Sequence, residues 1–167
     1  MSGLAGAPGV VPIVAKGAAS QTANLQQWEN VCSTPLSVMN SSGWLGVGTA
    51  SVPTTLAIGG SMSARTVFPT TCYSMDPSGK PPDFVVLANA STASFAVTLP
   101  NASTATGRIV FLKRIDANAS TSVKVKAQST DKIDGKSSSK LAKPYDTLTL
   151  ISDGNSPGNW YILSNSS

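Results

Sequence analysis

The chain has no histidine and only two cysteines, so few of its residues have chemistry to offer. Without an imidazole, neither a Ser-His-Asp nor a Cys-His arrangement can be assembled. A serine activated by lysine has one visible candidate, Ser137-Ser138-Ser139-Lys140. That stretch follows the turn-forming Asp134-Gly135 and reads as an exposed loop, which sets catalysis aside. Paired carboxylates for glycoside cleavage need two acids facing one groove. The eight acids lie scattered, and Asp76, Asp116, Asp134 and Asp153 have turn neighbours that read as Asx-turn chemistry. Gly46-Val47-Gly48 has neither the spacing nor the lysine of a phosphate loop. Cys32 and Cys72 sit in separate segments with no histidine beside them, too few ligands for zinc. They read as two free, mostly buried thiols, with a disulfide left open by the sequence. The expectation is a protein with no enzymatic activity, no metal site and no cofactor.

The basic residues are the other chemical feature. Nine of the twelve lysines and arginines lie between Arg108 and Lys143, and the formal net charge is +4. Such a cluster suits a footprint for nucleic acid, anionic lipid or glycan. Lys124 and Lys126 alternate with Val123 and Val125, however, and an ordinary solvated β face accounts for that pattern. Stacking aromatics do not interleave with the basic residues as single-strand binding favours. No apolar run reaches the roughly 18 residues of a membrane span. Neither a nucleic acid nor a membrane is therefore expected as a partner. Met1–Ala19 lacks a basic region before its apolar part and is interrupted by Pro8 and Pro12, so it does not read as a signal peptide. A chain that reaches an exterior without a signal suits a particle assembled inside the cell.

Positioning these groups falls to strands. Charged residues are 12% of the chain, about half the usual share, and strong helix formers are scarce. Three stretches follow. Residues 1–19 form an extended apolar arm, because glycine and proline spacing forbids a helix. Residues 20–60 hold short, glycine-rich pieces. Ser20–Asn30 reads either as a short helix capped by Ser20 or Thr22 or as a strand edge. Strands are predicted at Leu36–Met39, Trp44–Thr49 and Leu56–Gly60, with a tight turn at Asn40–Gly43. Residues 61–167 carry period-two patterns at Phe84–Leu87, Phe95–Leu99, Arg108–Lys113, Val123–Lys126, Leu148–Ile151 and Trp160–Leu163, separated by turn clusters. The predicted fold is all-β, with an antiparallel β-sandwich or jelly-roll-like domain over residues 61–167.

Ser20-Gln21-Thr22-Ala23-Asn24-Leu25-Gln26-Gln27-Trp28, then Ser41-Ser42-Gly43-Trp44-Leu45-Gly46-Val47-Gly48-Thr49, resembles a linker module of phage tail-fibre and related trimeric surface proteins. Pro53 and Leu56-Ala57-Ile58-Gly59-Gly60 continue the pattern. Val97–Pro100, Gly107–Asp116, Ile133–Gly135, Leu148–Gly154 and Asn159–Ile162 are similar to the tip domain that often follows it. The resemblance implies a virion or particle surface protein that is usually a homotrimer, and it does not imply an activity. The chain is short for a tail fibre and has no recognisable tail-attachment domain. Both departures point to a protein that decorates a capsid as a cement or head-fibre protein.

Particular residues carry these expectations. The glycine-rich 20–60 region is too thin to fold alone, so three copies are expected to pack Leu25, Trp28, Leu36, Val38, Leu45 and Val47 around a trimer axis, with glycines allowing close approach of backbones. The arm, through Leu4, Val10, Val11, Ile13 and Val14, is expected to attach to the shell by adding a strand to a major capsid protein or another virion protein. Tyr73, Asp76, Lys136, Lys140 and Tyr145 are candidate receptor-loop residues if the chain is instead a tail-fibre tip that recognises a host surface glycan or protein. The expected location is the virion surface, after assembly in the host cytoplasm.

Overall fold

The computed structural model describes residues 14–76 and 82–166. Over these residues the chain is all-β, as predicted, with a single 3-10 turn at Ala102–Thr104. It divides into two compact units, with the boundary between Ser63 and Ala64. Of the predicted arm, Leu4, Val10, Val11 and Ile13 lie outside the described residues, and Val14 is 72% exposed.

The first unit is one sheet of β1 (Gln26–Glu29), β2 (Pro35–Met39), β3 (Leu45–Val47) and β4 (Leu56–Ile58), in that spatial order. The Ser20–Asn30 segment supplies an edge strand and no helix. Two turns of the same design connect β1 to β2 and β2 to β3. Asn30 Oδ1 accepts from the amides of Cys32 and Thr34 at 2.9 and 3.0 Å. Asn40 Oδ1 accepts from those of Ser42 and Trp44 at 3.0 and 2.9 Å. Each asparagine thus satisfies turn amides that would otherwise compete with the ladder.

Strand register sorts the side chains by face, because successive residues point to opposite sides. Gln27, Val38, Gly46 and Ala57 share one side, where Val38 is fully buried. Trp28, Ser37, Val47 and Ile58 form a row on the other, beside a row of Gln26, Met39, Leu45 and Leu56. Gly46 is required by its own chain: a Cβ there would lie 2.5 Å from the Thr49 carbonyl oxygen and 2.9 Å from Val52 Cγ2. The close approach at Gly46 is to its own chain.

The second unit contains β5 (Thr66–Val67), β6 (Tyr73–Ser74), β7 (Val85–Ala88), β8 (Phe95–Thr98), β9 (Ile109–Arg114), β10 (Val123–Lys126), β11 (Lys132–Ile133), β12 (Ser138–Leu141), β13 (Thr147–Ser152) and β14 (Asn159–Asn165). They form a six-stranded sheet, β11-β14-β13-β9-β7-β5, and a four-stranded sheet, β12-β10-β8-β6. From β5 to β10 the chain visits the two sheets alternately. Within each sheet these strands stack in parallel: β5 on β7 on β9, and β6 on β8 on β10. That is a winding of the β-solenoid type. The antiparallel sandwich expected for residues 61–167 is corrected on this point. Antiparallel pairing begins only where the chain turns back, in β12 on β10, β13 on β9 and β14 on β13. Alternation reveals which face of a strand is buried and says nothing about the direction of its neighbour.

One core joins the two sheets. Val86, Val110, Leu112, Leu148, Leu150 and Trp160 from one meet Phe95, Val97, Val123, Val125 and Leu141 from the other. The indole of Trp160 donates to the Pro100 carbonyl at 3.2 Å. Each aliphatic side chain so buried contributes roughly 1.5–3 kcal/mol relative to exposure.

Candidate functional site

The four-stranded sheet turns Val123, Val125 and Leu141 inward and therefore Lys124, Lys126 and Lys140 outward. Lys124 pairs directly with Lys140 across the antiparallel β10–β12 ladder, and Lys126 pairs with Ser138. Cβ atoms of directly opposed residues are about 4.5–5.5 Å apart, and like charges in that position repel. A fourth lysine joins them. Ile133 and Lys136 exchange both backbone hydrogen bonds across Asp134-Gly135, at 2.6 and 2.9 Å. Asp134 and Gly135 have φ of 45° and 77°, the two positive values of a type I′ turn. This tight turn fixes Lys136 at the end of the loop leading into β12.

Together these residues line an open groove of about 870 Å3, with Ser94, Ser122, Ser138 and Asn165 adding hydroxyl and amide groups. Asp134 is its sole carboxylate among the described lining residues, and its Oδ1 accepts from the Ile162 amide at 3.2 Å. None of the four lysines takes part in an ion pair among the described residues. The arrangement is a concave cationic surface with hydrogen-bonding groups at its edges.

The predicted receptor-loop residues separate. Lys136 and Lys140 meet in the groove. Ser137–Lys140, read as an exposed loop, is corrected: from Ser138 it is strand β12, held by backbone pairing with β10. Tyr73 and Asp76 belong to an internal polar network. The Tyr73 hydroxyl donates to Asp83 Oδ2 at 2.7 Å, and Arg65 Nε donates to Asp83 Oδ1 at 2.6 Å. The Asp83 amide donates to Asp76 Oδ1 at 2.9 Å, and Arg108 clamps the Asp76 carboxylate with both terminal nitrogens. The Arg108 hydrogen bonds hold the Asp76 carboxyl below the usual carboxylate range. Burial would push Asp83 up, but its bonds from Arg65, Tyr73 and Asp76 outweigh that and lower it. Burial, reinforced by the bond to Asp83, raises the Tyr73 phenol. Tyr145 is exposed in a left-handed conformation, φ 63°, with the Lys113 amine 5.9 Å from its ring centre. It does not line the groove.

A second polar cluster was missed by sequence reasoning. Arg114 is the third inward residue of β9, after Val110 and Leu112, and is fully buried. Its guanidinium donates to Asp116 Oδ1 at 2.6 Å and Oδ2 at 3.0 Å, to the Thr121 and Ala142 carbonyls at 2.7 and 3.1 Å, and to Thr121 Oγ1 at 2.8 Å. Asp116 also accepts from the Ala90 amide at 2.7 Å and the Asn118 amide at 3.1 Å. These bonds, from Arg114 first, hold its carboxyl down to about 2. Asp116 is thus a buried counter-ion as well as an Asx-turn residue. Asp153 keeps the simpler role, its Oδ1 accepting from the amides of Asn155 and Asn159 at 3.0 Å each.

Cys32 and Cys72 are free, as read, but both are exposed, which corrects the expectation of burial. Each lies outside the strands that form the cores. Among the described residues, no group of three acid or cysteine side chains converges as a metal site would require. Comparison of the sequence with protein-family models and with curated proteins gives no match.

Proposed function

We propose that this is a structural protein of a phage-type particle surface, without enzymatic activity, a capsid decoration protein whose first unit associates with two sister copies and with the shell. The observation that carries the reading is the open apolar side of the first unit. Trp28, Val47, Leu56 and Ile58 remain 47%, 44%, 55% and 42% exposed on one face of a single four-stranded sheet. Among the described residues, Val38 is the one hydrophobic side chain the unit buries fully. A sheet with so small an interior needs further apolar cover to be stable. The open rows contain Gln26 and Ser37 but no charge, so identical copies meet there without repulsion. Completing the burial of each large side chain contributes on the order of 1 kcal/mol, about half the value for full transfer.

The register refines the proposed axis. Trp28, Leu45 and Val47 share the open side with Met39, Leu56 and Ile58, whereas Val38 lies on the opposite side within its own unit. Partners on the particle are a major capsid protein or another virion protein, and the location is the virion surface. The test is light scattering of the full chain at micromolar concentration, with Trp28→Ser/Ile58→Ser as the comparison. A trimer that the double variant reduces to monomer supports the reading; a monomeric parent chain refutes it. A second reading, a tail-fibre tip that recognises a host surface glycan, draws support from the lysine groove.

A further inference from the structure

We infer that the lysine groove of the second unit is a binding site for an anionic polysaccharide, a sugar polymer bearing carboxylate or phosphate groups. This rests on the recognition reading above and is independent of association through the first unit, since every lining residue belongs to the second.

Three features of the groove point to such a ligand. First, four lysines face one carboxylate over a shared concavity. Second, the fold sets Lys124 directly opposite Lys140, a like-charge pair that an exposed sheet face ordinarily avoids. An anion between the two ammonium groups turns that repulsion into attraction. Third, the cations are arrayed and not focused on one point. Lys126 lies two residues along β10 from Lys124, roughly 7 Å away, and Lys136 stands on the rigid Asp134-Gly135 turn. An array engages repeated charges along a polymer better than a single small anion.

The chemistry between the cations favours sugar over nucleic acid. Ser94, Ser122, Ser138 and Asn165 supply donors and acceptors matched to sugar hydroxyls. Phe95, the one aromatic among the described lining residues, is buried, so they leave no exposed ring on which a base can stack. Single-stranded nucleic acid sites rely on such stacking.

The test uses the full-length protein and calorimetric titration at low ionic strength. The probes are polygalacturonate, a phosphorylated mannan, neutral dextran and a single-stranded oligodeoxynucleotide. Binding of either acidic polysaccharide in preference to dextran and oligonucleotide is expected, and the preferred one identifies the acid group. Lys124→Gln/Lys140→Gln should weaken that binding by roughly tenfold, the loss of two partly screened charge contacts. Added salt should weaken the parent more than the variant. Both lysines are exposed, so the variant should melt no lower than the parent, which separates loss of binding from loss of fold. Equal binding by parent and variant overturns the groove while leaving recognition in place. Tighter binding of the oligonucleotide overturns the ligand class. Binding to neutral sugars alone also refutes the inference and spares the recognition reading; binding to no polysaccharide refutes both.

Discussion

Replacing Asp116 by asparagine should remove a pH-dependent part of the second unit's stability of about 2 kcal/mol. The carboxyl moves from an ordinary 3.8 in the unfolded chain to about 2 in the folded one. Each tenfold change in proton affinity is equivalent to about 1.4 kcal/mol, so the difference favours the folded state by about 2 kcal/mol at neutral pH. Because the folded value is depressed, the contribution is complete above the unfolded value near 3.8. It is lost as pH falls through about 2. Asparagine keeps the shape but presents an amide donor where two oxygens accepted from Arg114, Ala90 and Asn118. A buried arginine then lacks its counter-ion, and the whole loss at pH 7 should be roughly 3–5 kcal/mol. Urea unfolding of parent and D116N, followed by far-ultraviolet circular dichroism from pH 7 to pH 2, gives the difference directly. Asp76 and Asp83 titrate in both proteins and cancel. The gap between the curves should narrow by about 2 kcal/mol as the parent's carboxyl protonates. A gap of constant size across this range, or one under about 1 kcal/mol at pH 7, would falsify the account of Arg114 and Asp116 as a desolvated ion pair.

Two further outcomes test the architecture. Gly46→Ala places a Cβ 2.5 Å from the Thr49 carbonyl oxygen, so it should destabilise the first unit by about 1–3 kcal/mol. Hydrogen exchange should accelerate in β2 and β3 but remain unchanged in β7 to β10; uniform behaviour in both units would contradict their separation. Lys124→Glu sets opposite charges across the β10–β12 pair and should raise stability by about 0.2–1 kcal/mol. The gain should shrink in high salt. A lower melting temperature at low ionic strength would mean that Lys124 and Lys140 are not neighbours.

Val123-Lys124-Val125-Lys126 shows how far the sequence reaches. Its alternation places two valines inward and two lysines outward, and the strand occurs as predicted. The same holds for β8, with Phe95 and Val97 inward, and for the turn at Asp134-Gly135. Ser138–Leu141 shows where that reach ends. Its serines and lysine carry no apolar period, and it becomes a strand because β10 offers it a ladder. Arg114 is similar: its charge signals solvent, yet the parity of β9 carries it into the core, where Asp116 and the backbone carbonyls of Asn118, Thr121 and Ala142 receive it.

The sequence alone determined that the segments with an alternating apolar pattern extend, where several of them turn and which of their sides is buried, because these depend on side chains a few residues apart. Tertiary structure decided which strands pair and in which direction, and hence that Lys124 faces Lys140 and that β5 to β10 wind in parallel. Those choices are made by backbone amides and carbonyls, which are the same at nearly every position and leave little trace in the order of the side chains.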